Sequence, residues 1–115
     1  MKIVKEKIEI AELKEMTKMF GNMVKAVVDI EKGIMAVDAE LHMDLLQLLM
    51  ESEHSEPKDC WGINLYPEKT GEDFLEFDSM VNLKPAFDNR SRGIESAQTR
   101  EKITKIVEKL CNTKV

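Results

Sequence analysis

Cysteine is nearly absent: the chain has two, Cys60 and Cys111, far apart and in no paired motif. A disulfide framework needs more of them at closer spacing, so a reducing, cytoplasmic setting is expected. Histidine is equally scarce, with His42 and His54 forming neither His-x-x-x-His nor any zinc spacing. No apolar run approaches the roughly 20 residues of a membrane helix. The longest, Leu45 to Met50, is interrupted by Gln47. Neither glycine-rich phosphate motif occurs, and Ser91 has no adjacent His or elbow motif for a nucleophilic triad. The stretch Met1 to Glu9 alternates charge with Ile and Val, unlike a secretory leader. No repeat or long linker divides the chain, so a single domain over residues 1–115 is expected.

What is present describes a globular chain. Apolar residues make up 43% and charged residues 34%, enough for a core under a heavily charged surface. Eight methionines suit irregular core gaps, or a partner surface if exposed. The net charge of −5 is unevenly spread. Residues 36–80 hold twelve acids against two Lys, whereas residues 81–115 hold eight basic residues against four acids. An acidic middle argues against a protein coated for non-specific nucleic-acid binding. The basic third carries Arg90, Arg92 and Arg100. It leaves room for a local anion site, or the two segments neutralise each other across the fold.

Periodicity places the elements. Residues 2–9 alternate as a strand, and residues 10–20 take a helical period that ends at Gly21-Asn22. Residues 23–30 are almost continuously apolar, suiting a central strand. A turn with Gly33 at positive φ returns the chain as Ile34 to Val37. Residues 39–51 read as a helix with Asp38 as N-cap, although 47–52 could instead begin a strand. Trp61 to Tyr66 and Phe74 to Leu83 alternate as a second hairpin, and Ser96 caps a last helix. The predicted fold class is α+β, a mostly antiparallel sheet with helices packed on one face, in the order β-α-β-β-α-β-β-α.

Three constellations could carry chemistry. Period-two alternation puts Asn64, Tyr66, Glu76, Asp78 and Asn82 on one polar sheet face. Carboxylates two residues apart there lie roughly 7 Å apart, close enough to share a metal or to push one pKa upward; the plainer reading is a solvated face. Glu40-x-His42-x-Asp44 offers metal-capable side chains at extended spacing. Asn89-Arg90-Ser91-Arg92 precedes a helix start and could cradle an anion through two guanidinium forks. Alternatively, Arg90 or Arg92 clamps a nearby carboxylate and ties the loop down.

The stretches VVDIEKGIMA, ELHMD, WGINLYPE and FDSMVNLKPAFDNRSRGI together resemble a family of small uncharacterised prokaryotic proteins, a domain of unknown function. The resemblance implies no activity or cofactor. It singles out Asp29, Glu31, Glu40, His42, Asn64, Asn89, Arg90 and Ser91 as motif positions, and it places Gly-Gly where this chain has Asp38-Ala39. Three functions fit these residues. One is a binding or regulatory module using the polar sheet face and the Asn-Arg-Ser loop for a small anion or phosphate-bearing ligand. The others are a small metal-dependent hydrolase or nuclease, and a structural subunit with a protein partner or a second copy of itself.

Overall fold

In the computed structural model, which describes residues Met1–Val115, eight main elements follow one another. They are β1 (Lys2–Val4), α1 (Ile10–Met16), β2 (Val24–Asp29), β3 (Ile34–Val37), α2 (His42–Glu53), β4 (Cys60–Leu65), β5 (Leu75–Glu76) and α3 (Ala97–Cys111). This is the expected order of strands and helices. The strands form one sheet in the order β1-β3-β2-β4-β5, with every neighbouring pair antiparallel. The fold is α+β, and residues 47–52 belong to α2.

β2 is central because both of its faces are apolar. Ala26 and Val28 join Met35, Trp61 and Ile63 under Leu13 of α1 and Ile103, Val107 and Leu110 of α3. Val27 joins Ala36 and Cys60 under Leu45, Leu46 and Leu49 of α2. The expectation of helices on one face is therefore corrected: α1 and α3 cover one side of the sheet and α2 the other. A strand that is apolar at successive positions exposes carbon on both sides and must be covered on both.

Two predicted strands are shorter than their alternation suggested. Residues 2–9 pair only as far as Val4, since β3 offers a partner of just four residues. Ile8 then leaves the sheet, is buried, and donates its N–H to Leu110 O of α3 at 2.8 Å. Residues 74–83 contribute only Leu75–Glu76 to the sheet, for a reason that lies in β4 and is given below.

The turns follow backbone chemistry. Gly33 sits at φ 68° in the β2–β3 turn, as expected. Its N–H donates to Asp29 O at 2.9 Å, and Asp29 Oδ1 accepts from Glu31 and Lys32 at 2.9 and 3.0 Å. Gly33→Ala is expected to lower stability by about 1 kcal/mol, because a Cβ is disfavoured at positive φ. An unchanged urea midpoint would count against this. Asp38 is not the N-cap of α2; it lies at φ 74°, and Leu41 occupies the cap position. A left-handed residue suits the Gly-Gly pattern of the resembling family better than it suits a capping aspartate. Ser96 caps α3 as predicted, accepting from Thr99 N at 3.1 Å.

Candidate functional site

The register of the second hairpin is the predicted one at its start, with Asn64 opposite Glu76. Asn64 Nδ2 and Tyr66 OH both donate to Glu76 Oε1, at 2.9 and 2.8 Å. Burial and the Glu76 carboxylate beside it push the Tyr66 hydroxyl up to about 12, so it stays a donor. Asn64 Nδ2 also reaches Asp78 O at 3.3 Å. Asn64, Tyr66, Glu76 and Asp78 are thus brought together.

Asn82 is not on that face. The ladder ends after Glu76 because the Asn82 side chain takes the place of a strand residue. Its Oδ1 accepts from Gly62 N at 2.7 Å, and its Nδ2 donates to Gly62 O at 2.9 Å. The same Nδ2 donates to Arg92 O at 2.9 Å. Gly62 permits this approach, since Ser79 and Val81 occupy the space a Cβ would need. Asn89 does similar work further on. Its Nδ2 donates to Asn82 O at 2.7 Å and Gly93 O at 2.8 Å, and its Oδ1 accepts from Glu95 N at 2.8 Å. Both asparagines are buried, so two residues predicted to face a ligand instead hold residues 79–95 in one shape.

The arginines pair separately. Arg92 Nε donates to Asp78 Oδ1 at 2.7 Å, and Arg90 lies 3.6 Å from Asp88. The backbone N–H of Arg90 donates to the Glu95 carboxylate, and Ser91 is exposed. An anion in this loop would have to displace carboxylates of the chain itself. The Arg92–Asp78 pair is half exposed, so it is worth about 1 kcal/mol at most.

Glu40, His42 and Asp44 do not converge. Glu40 and Asp44 are exposed, whereas His42 is buried and its Nε2–H donates to Ile63 O at 2.8 Å. No three carboxylate, imidazole or thiol groups stand where they could hold a metal ion. Cys60 and Cys111 are free and buried, and burial pushes both thiols up to about 12, so neither is a nucleophile near neutral pH.

His42 gives the fold a pH dependence. Burial holds its imidazolium below the usual histidine range and Lys25 adds to this, while the Ile63 carbonyl, Asn64 and Asp78 oppose. The unfolded chain therefore takes up this proton more readily than the folded one. Stability should be full above about pH 6.5, the unperturbed histidine value, and should fall as pH drops below it. His42→Gln keeps a donor for Ile63 O and removes the titration. Its urea midpoint should decline less than the parent's between pH 7.5 and 5.5; parallel declines would show that other groups carry the effect.

A feature missed in the sequence lies on the outer side of the pinned loop. Met43 and Leu46 of α2 face Met80, Val81, Leu83 and Phe87 across a groove of about 320 Å³. Met43, Met80 and Phe87 are 56%, 61% and 59% exposed. The charged residues of its lining are Lys58 and Lys84, with no acid. Lys84 is half-buried; its Nζ donates to Val81 O at 2.8 Å and lies 4.9 Å from the Trp61 ring centre. The signal was the run MVNLKPAF, residues 80–87, whose five apolar side chains follow neither helical nor strand period once Pro85 is counted.

A family model described as "Protein of unknown function (DUF5674)" matches residues 2–110 of the chain. No curated protein matches it, and no solved structure does.

Proposed function

The chain belongs to this family of unknown function, and from that premise we propose that it is a binding module that holds an apolar, acid-flanked segment of another protein in the groove between α2 and residues 80–87. One observation carries the reading. Buried amides hold a loop in a single shape, and that loop displays Met80, Leu83 and Phe87 to solvent beside Met43. Clustered exposed apolar side chains mark interaction sites, and methionines there adapt to the partner. The polarity of the groove chooses the occupant. In a chain of net charge −5, the two charged side chains of the groove are both lysines: Lys84 makes no ion pair, and Lys58 is shared with Glu56 and Asp59 at 3.5 Å each. Carboxylates at the ends of a partner segment would complement them.

The test uses two labelled helical peptides with leucines at i, i+3 and i+7, one flanked by Glu and the other by Lys. In fluorescence anisotropy at low salt, the Glu-flanked peptide should bind about tenfold tighter, and added salt should shrink the difference. Met80→Ser combined with Phe87→Ser should weaken binding about tenfold or more, with little change in melting temperature because both side chains are exposed. Equal binding of the two peptides would overturn the reading. So would sedimentation of the free chain as a dimer that the double variant dissociates, which would assign the groove to a second copy.

A further inference from the structure

A second depression, of about 320 Å³, lies at the β2–β3 turn, borders the apolar groove at Lys58, and is lined by no apolar residue. Asp29 lies in it at only 1% exposure. Its carboxylate is held in orientation, since Oδ1 accepts from the Glu31 and Lys32 amides. Its other oxygen, Oδ2, is buried and has no hydrogen-bond partner in the protein. An ionised oxygen out of water without a donor is costly, so this atom calls for one.

Charge around the depression shows which kind of donor. Four carboxylates, those of Asp29, Glu31, Glu56 and Asp59, face two ammonium groups, those of Lys32 and Lys58. Lys58 is shared between Glu56 and Asp59 at 3.5 Å each. The excess is negative, yet no three ligating groups converge for a metal ion. We propose that this depression binds a small organic cation bearing N–H donors, a primary ammonium or a guanidinium, with Asp29 Oδ2 as the buried acceptor and Glu31 and Glu56 as the outer carboxylates. A compact ammonium needs one fixed acceptor and surrounding negative charge, which is what the turn supplies.

The experiment follows the backbone amides of residues 29–33 by NMR, and the melting temperature, while 1,4-diaminobutane is added at constant ionic strength. The expected result is saturable shifts at Glu31 and Lys32 and a rise in melting temperature of about 5 °C at ten times Kd. Tetramethylammonium, a cation without N–H donors, should leave both unchanged. Asp29→Asn keeps an acceptor for the turn but turns the second atom into a donor. It should weaken diaminobutane binding about tenfold or more, as for loss of one hydrogen bond to a charged group. Should that variant fail to fold, Glu56→Gln, which alters an exposed side chain, should weaken binding measurably without lowering stability. An equal response to tetramethylammonium, tighter binding of calcium than of the diamine, or undiminished binding by Asp29→Asn would each overturn the proposal.

Discussion

Asn82→Ala is expected to lower unfolding free energy by about 4 kcal/mol, among the largest effects a single substitution here can have. The side chain is wholly buried and satisfies three backbone groups: the N–H and C=O of Gly62 and the C=O of Arg92. Removing it leaves the N–H and C=O of Gly62 without their protein partner, at about 1–3 kcal/mol per buried group, whereas Arg92 O keeps the Ser79 N–H at 2.9 Å. Asn82→Asp should be nearly as damaging. It keeps the acceptor for Gly62 N, but it places carboxylate oxygens against two carbonyls. Urea denaturation of both variants checks the expectation, and a loss under about 1 kcal/mol for Asn82→Ala would mean that the loop is not held by this amide. Asn82→Ala should also lose affinity for the Glu-flanked peptide, because the pinned loop forms one wall of the groove.

Gly62→Ala should destabilise by about 3 kcal/mol, the upper end for forcing a methyl into a packed site. Its Cβ would lie 2.5 Å from both Cβ and Oγ of Ser79 and 2.8 Å from Val81 Cγ2. Ser79 Cβ cannot rotate away, since it is fixed to its own backbone, so residues 79–82 would have to move off the sheet. That movement would stretch the two hydrogen bonds between Asn82 and Gly62. The two substitutions therefore strike one contact, and their combined cost should fall well short of the sum. A simple sum in the double variant would show that glycine and asparagine act independently.

These expectations concern the same few ångströms because that contact decides the character of the loop. An ordinary second hairpin would have run β5 along β4 to its end and placed Met80 and Asn82 on one sheet face. Here the strand stops at Glu76, and an amide side chain closes the ladder at Gly62. The chain is then free to turn outward. The polar groups face in and are satisfied, while Met80, Leu83 and Phe87 face out. That inversion of the usual arrangement is the physical basis of the binding proposal.

Local chemistry determined much by itself. The order of strands and helices, the positive φ of Gly33, the Ser96 cap and the pairing of Asn64 with Glu76 depend on period, side-chain type and turn residues, all carried by short stretches of sequence. Even the two-sided cover of the sheet is written in the successive apolar residues Ala26, Val27 and Val28 of β2. Four features were settled by tertiary structure alone: the early end of β5, the burial of Asn82 and Asn89, the inward turn of His42, and the partnerless Oδ2 of Asp29. An amide serves equally well as a ligand contact, a solvated group or a substitute strand residue, and nothing within a few residues distinguishes these. The choice depends on which backbone donors and acceptors lie opposite. For Asn82 they belong to Gly62 and Arg92, 20 and 10 residues away, and only packing of the sheet brings them there.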